Sequence, residues 1–206
     1  SAKSLNRMRG WIHECDRGHS HCKKPDSTFM PTRLLDVGIP SCKQVRLVLS
    51  TDPGSARDNY VALSHCWGPS KPLITTSANI SQFQAEIPST TLPQTFDDAI
   101  KITRLLGIRY LWIDSLCIIQ DVPDDWLRES ATMFSVYSNA DITISASRAS
   151  SSVDGFLSLD TEFASLKMRL THPARKRSSS LAWVIQERYL SRRILLFGSA
   201  QTFWEC

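Results

Sequence analysis

The feature that most constrains this chain is the alternation of short apolar runs with helix-period segments between residues 60 and 147. Tyr60-Val61-Ala62-Leu63-Ser64 has the length and character of a buried strand. Over residues 94–106, Phe96, Ala99, Ile100, Thr103 and Leu106 follow helical spacing. Thr95 followed by Asp98 resembles a capping box at its start, and Gly107 supplies the stop. Tyr110-Leu111-Trp112-Ile113 reads as a second buried strand, ending at Asp114-Ser115. Leu116 to Ile119 is apolar and either extends that strand or begins another element. Pro123-Asp124-Asp125 loads acid into the first turn of a second helix, whose inner stripe is marked by Trp126, Met133 and Tyr137. Asp141-Ile142-Thr143-Ile144-Ser145 is a third strand. Strand, helix, strand, helix, strand predicts an α/β fold built on a parallel sheet flanked by helices.

The flanks extend this core. Arg33-Leu34-Leu35-Asp36-Val37 and Val45-Arg46-Leu47-Val48-Leu49 lie before it, the second a good strand candidate, and Thr51 to Asn59 is turn material. Residues 149–180 are rich in Ser and turn residues and read as a long loop or insertion, and Arg193-Ile194-Leu195-Leu196-Phe197 is strand-like. No internal repeat is visible. With 206 residues, 42% of them hydrophobic, the chain can bury one sizeable core or two small ones. That fraction is too high for a disordered chain, and no apolar stretch approaches the roughly 20 residues of a spanning helix. A net charge of +4, dispersed apart from Arg175-Lys176-Arg177, argues against nucleic acid as the main partner. No secretory signal opens the sequence, so a reducing, cytoplasmic setting is expected. Six cysteines in this length do not form a disulfide scaffold, and Cys66 and Cys117 read as small buried hydrophobes. The abrupt aromatic end, Phe203-Trp204-Glu205-Cys206, reads as the boundary of a domain cut from a longer protein.

Chemistry is expected where parallel strands end, because ligands of open α/β sheets bind outside the carboxyl ends of the strands. Two strands end in polar residues, the first at Ser64-His65-Cys66-Trp67-Gly68 and the second at Asp114-Ser115. The competing reading is that Ser64 and Asp114 only cap loops and helices. Glu129 is the candidate carboxylate, since three residues after Trp126 and four before Met133 both place it on the apolar stripe. A free carboxylate there is costly, so it either faces a cleft or pairs with an arginine such as Arg104, Arg109 or Arg188. Asp125 is expected to face away from the stripe as a cap. A third cluster, Cys15, His19 and Cys22 with His13 and His21 as spares, offers metal-ligand chemistry. Only one short-spaced pair is visible and Cys42 would have to come from afar. The preferred reading is an ordinary helical segment with no metal, zinc being the alternative. No phosphate-binding glycine loop, serine-hydrolase elbow or zinc-protease motif occurs, and none of the eight glycines forms a G-x-G array. Cys66 beside His65 is a poor nucleophile–base pair, because adjacent strand residues point to opposite faces.

Taken together, these segments resemble the fungal heterokaryon-incompatibility (HET) domain. The similarity rests on residues 60–68, on Leu92-Pro93-Gln94-Thr95-Phe96-Asp97-Asp98-Ala99-Ile100, and above all on residues 109–121 followed by Asp125-Trp126 and Glu129. Gly155-Phe156, Gln186-Glu187-Arg188 and residues 203–206 resemble its later blocks. The whole chain then reads as one HET domain, with an N-terminal extension over 1–50, a core over 60–147, and an insertion with C-terminal motifs over 148–206. HET domains resemble Toll/interleukin-1 receptor (TIR) domains in fold, which implies a TIR-like parallel sheet with added terminal strands and loops.

The resemblance also implies an activity. Many TIR domains cleave NAD at the nicotinamide–ribose bond through a glutamate on a helix, following a Trp. Trp126 and Glu129 look like that pair, one residue closer together than is usual. Glu129 would be catalytic. Ser64, His65, Trp67, Gly68, Asp114, Ser115 and Trp126 would bind substrate, Trp67 being placed to stack. NAD would be a substrate rather than a cofactor, and a carboxylate can stabilise the oxocarbenium character that bond cleavage creates. A HET protein would use NAD depletion in non-self recognition and regulated cell death, acting as a homo-oligomer when activated. A non-catalytic, self-associating death-signalling module is the alternative.

Overall fold

A computed structural model describes residues 2–20, 22, 26, 28–41, 44–52, 59–69, 72–157, 187–199 and 201–206. Among the described residues, seven strands form one mixed sheet. They are β1 (Arg33–Asp36), β2 (Arg46–Leu49), β3 (Tyr60–Ser64), β4 (Tyr110–Trp112), β5 (Ile142–Ser145), β6 (Ile194–Phe197) and β7 (Thr202–Glu205). Their spatial order is β2-β1-β4-β3-β5-β6-β7. The four central strands, β4-β3-β5-β6, are parallel, while β2 and β1 on one side and β7 on the other add antiparallel edges. The expected parallel core with additional terminal strands is therefore the observed architecture, and its central strands fit the TIR-like arrangement.

Helices α1 (Ala2–Gly18), α2 (Ile80–Ala85), α3 (Gln94–Leu106), α4 (Asp114–Cys117) and α5 (Pro123–Asn139) accompany the sheet. The side-chain alternation of β3 shows which face each covers. His65, just past β3, meets Phe96 of α3 edge-on at 5.1 Å. Tyr60 donates its hydroxyl to the Val136 carbonyl of α5 at 2.6 Å. These two residues lie an odd number apart, so α3 and α5 cover opposite faces. Trp112 meets Tyr137 of α5 edge-on in the same way. Helix α1 lies over α3, with Met8 buried and Arg9 donating to the Leu105 carbonyl. All five residues of β3 are buried, as a strand covered on both faces requires.

Chain order explains where a ligand can enter. From β3 the chain crosses to β4 on one side, then returns past β3 to β5 on the other. The crossovers through α3 and α5 diverge to opposite faces, which opens a crevice above β3 at the carboxyl ends.

Several local expectations are corrected. Thr95 and Asp98 do not cap α3, whose N-cap is Pro93 with no side-chain capping bond. They hold the segment after β5 instead. Thr95 Oγ1 donates to the Ser151 carbonyl, and Asp98 Oδ2 accepts the N–H groups of Phe156 and Leu157 at 2.8 and 2.9 Å. Gly107 does stop α3, in the left-handed conformation. Leu116 to Ile119 does not extend β4, because the chain turns into the short helix α4. The inner stripe of α5 runs through Asp125, Glu129, Val136 and Tyr137, so Glu129 and Tyr137 lie on it as expected, while Asp125 takes the place expected for Trp126 and Met133 is only half-buried. Trp126 is therefore exposed, and Asp125 is buried rather than facing away. Cys117 is buried as expected, whereas Cys66 is only half-buried. Pro53, Gly54, His21, Cys42, Gln186, Arg175 to Arg177 and most of the expected insertion lie outside the described residues. No helix among the described residues is long and apolar enough to cross a membrane.

Candidate functional site

Above the carboxyl ends of β3 and β4 lies a cleft of about 510 Å³. His65, Cys66, Trp67 and Gly68 follow β3 into it. Asp114, Ile118 and Gln120 enter after β4, Trp126 and Met133 from α5, and Ser150 after β5. Glu187 closes the floor. Of the residues expected from sequence, His65, Trp67, Gly68, Asp114 and Trp126 meet here. Ser64 and Ser115 are buried and do not line the cleft.

The backbone at the rim is specified by Gly68, whose φ of 78° suits glycine. A Cβ there would sit 2.4 Å from Ser151 Cβ, so only glycine lets the two loops approach. The hydrogen bonds of Thr95 and Asp98 fix the opposing loop and so position Ser150. Trp67 Nε1 donates to Asp114 Oδ2 at 2.9 Å, joining the β3 and β4 loops across the mouth. Asp114 Oδ1 accepts the Ser115 N–H at 2.7 Å and stands 4.0 Å from His65 Nδ1. Burial pushes the His65 imidazole below its ordinary pKa, although Asp114 opposes this, so the ring is neutral near pH 7. Its Nε2 has no hydrogen-bond partner among the described residues.

Glu187 is the acid that the local sequence pattern missed. Its carboxyl is buried near the hydroxyls of Ser64 and Tyr137. Burial pushes it up to about 7, the hydroxyls opposing and Asp114 assisting. Oε2 has no partner among the described residues. No periodicity leads to Glu187, which follows a Ser-rich stretch and reaches the cleft only through the fold. Its place in the Gln186-Glu187-Arg188 block was its one sequence signal.

Glu129 occupies a different environment. It lies on the buried stripe of α5 and, unlike Trp126 and Met133, does not line the cleft. Its Oε1 lies 3.6 Å from Arg33 Nη2 and 3.5 Å from Arg128 Nε. Asp125, one turn earlier, pairs with Arg33 at 2.5 Å and with Arg128, and accepts the Ile119 N–H. Arg33 Nε also donates to the Cys117 carbonyl at 2.6 Å. The partner of Glu129 is thus Arg33, which is buried in β1, and none of the arginines expected from sequence. Two acids and two guanidinium groups compensate one another behind the cleft wall.

A second cluster lies at the end of α1. Cys15, His19, Cys22 and Cys206 place their ligand atoms within 4.8 Å of one another. Hydrogen bonding to Cys15 and burial push the Cys22 thiol up to about 11, because sulfurs this close oppose each other's ionisation. Cys206 was not among the ligands expected from sequence.

The lining of the cleft has a definite chemical bias. Among the described residues it carries two carboxylates, two indoles and no lysine or arginine. Such a wall favours a flat, cationic group over an anionic one. Comparison with protein-family models matches residues 60–196 to the heterokaryon incompatibility protein (HET) model. No curated protein and no solved structure matches the chain.

Proposed function

The chain belongs to the heterokaryon-incompatibility (HET) family, and from that premise we propose that its cleft cleaves the nicotinamide–ribose bond of NAD. The observation that carries this reading is the buried Glu187 carboxyl, one oxygen of which has no partner among the described residues, in a cleft walled by Trp67 and Trp126. The nicotinamide ring of NAD is a flat cation. It matches the indoles and the two carboxylates in shape and in charge. Its arrival beside Glu187 would favour the ionised carboxylate.

In the reaction, the N-glycosidic bond breaks and its electron pair leaves with neutral nicotinamide. Positive charge develops on the ribose, where a carboxylate in the cleft stabilises it. Water then forms the new C–O bond at the anomeric carbon, and the proton it sheds is taken up by a base. Glu187, held near pH 7, suits that proton transfer. The products are nicotinamide, ADP-ribose and a proton. Asp114 holds Trp67 at the mouth, and His65, Gln120 and Ser150 offer neutral polar contacts. Glu129, balanced between Arg33 and Arg128, fixes the helix that presents Trp126. NAD loss of this kind would serve incompatibility and regulated cell death in the cytoplasm.

Nicotinamide release, measured by chromatography for wild type, Glu187→Gln and Glu129→Gln across a range of protein concentrations, tests the reading. Expected is turnover by wild type and by Glu129→Gln, with a loss of at least about 100-fold in Glu187→Gln. Loss in Glu129→Gln with full activity in Glu187→Gln would move the chemistry to Glu129. No turnover at any concentration would remove the enzyme. One observation favours a second reading, a non-catalytic module that signals by self-association. Leu127 and Phe134 are exposed seven residues apart, leaving an apolar ridge on α5.

A further inference from the structure

We propose that Cys15, His19, Cys22 and Cys206 form a structural zinc site that fastens the N-terminal helix to the far edge of the sheet. Cys15 lies in the last turn of α1 and is buried. His19 and Cys22 follow in the turn after it, where the Cys22 N–H donates to the His19 carbonyl at 3.2 Å. Cys206 arrives from the opposite end of the sequence, directly after the edge strand β7. Cys15 Sγ and Cys22 Sγ are 3.4 Å apart, and His19 Nδ1 and Cys206 Sγ are 3.1 Å apart.

These separations suit one small cation. Zinc–sulfur bonds of about 2.3 Å at tetrahedral angles place ligand sulfurs about 3.8 Å apart. A set of four ligand atoms within 4.8 Å of one another needs only small rotations to reach that geometry. Among the described residues the donor set is three thiols and one imidazole, with no carboxylate and no fifth ligand. That is the composition of a closed structural zinc site rather than a magnesium or calcium site. A Cys15–Cys22 disulfide would explain two of the four residues and leave His19 and Cys206 without a purpose.

The charge around the cluster fits as well. Three thiolates around a divalent ion leave one negative charge. Arg193, whose side chain is buried, pairs with Asp16 next to Cys15 and with Asp141. With Arg192, which shares Asp141, two guanidinium groups balance these two carboxylates, so the surroundings add no net negative charge to a residual anion. The site would join segments almost the whole chain apart and hold α1 over α3.

The experiment is metal analysis of protein purified under reducing conditions without chelator, followed by cobalt substitution. Expected are about one zinc per chain and, with cobalt, tetrahedral d–d bands plus a near-ultraviolet charge-transfer band of three-thiolate intensity. Cys206→Ser and Cys15→Ser should lose the zinc, while His13→Ala, on the same helix, should keep it. A chelator should lower the melting temperature of wild type but not of Cys206→Ser. If the serine variants do not fold, the cobalt spectrum of wild type still decides, since it counts thiolates directly. Substoichiometric zinc with no tetrahedral cobalt spectrum would overturn the site. So would a Cys15–Cys22 disulfide in the reduced preparation, or stoichiometric zinc in folded Cys206→Ser.

Discussion

Glu187 is a carboxyl group that folding places where its charge is least welcome. Burial raises it from an ordinary 4.5 to about 7. The sign of the consequence follows from proton counting. Between pH 4.5 and 7 the folded state keeps a proton that the unfolded chain releases, so rising pH through this window destabilises the fold, and above pH 7 the penalty is constant. A shift of this size corresponds to a cost on the order of 3 kcal/mol at pH 8. Glu187→Gln should therefore gain stability relative to wild type as pH rises from 4.5 to 7, with a level advantage beyond. Urea unfolding of both proteins at several pH values measures this. A difference that does not change with pH would mean that Glu187 titrates normally. Glu129 is also buried and its Oε1 likewise has no hydrogen-bond partner among the described residues, but two guanidinium groups lie within 4 Å of it. Among the described residues, Glu129 is thus compensated by ion pairing and Glu187 is not.

At the scale of elements, the Arg33–Asp125–Glu129 network couples β1 to α5. The sequence pattern located the helix and put a carboxylate on its inner stripe, and both readings hold. It did not reveal the partner, because Arg33 belongs to a strand that reaches α5 only through the sheet order. Arg33→Met alone leaves two carboxylates buried beside Arg128 only, and should cost about 3–5 kcal/mol. Replacing Arg33, Asp125 and Glu129 together by Met, Leu and Met should recover most of that, since an apolar cluster of similar volume needs no charge balance. Chemical unfolding midpoints compare the three proteins. If Arg33→Met alone stayed within about 1 kcal/mol of wild type, the network would carry no structural weight. Thr95 and Asp98 teach the same lesson. Their spacing imitates a capping box, yet the tertiary fold brings the N–H groups of Phe156 and Leu157 to the carboxylate instead.

For the whole molecule, function depends on which surfaces remain open once the sheet is covered. The apolar ridge of α5, Leu127 with Phe134, stands next to the cleft-lining Trp126. Self-association through this ridge would bring further residues to the cleft mouth. Sedimentation velocity should show wild type gaining mass with concentration, and Leu127→Asp with Phe134→Asp remaining monomeric with an unchanged circular dichroism spectrum. The same concentration dependence in both proteins would exclude the ridge as the contact.

By itself, the sequence determined what is local or repeated in kind. Its apolar runs and helical spacing specify the alternation of β3, α3, β4, α5 and β5, because burial on both faces of a parallel sheet leaves a visible hydrophobic record. The polar residues that end β3 and β4 point to a candidate site at the carboxyl edge, since the alternation of strands and helices already fixes which ends face a crevice. Only the tertiary structure decided which residues complete it. Glu187 joins the cleft, Arg33 claims Glu129, and Cys206 joins Cys15, His19 and Cys22. Each of these meetings links segments far apart in sequence, and distance along the chain leaves no periodic trace of contact in space.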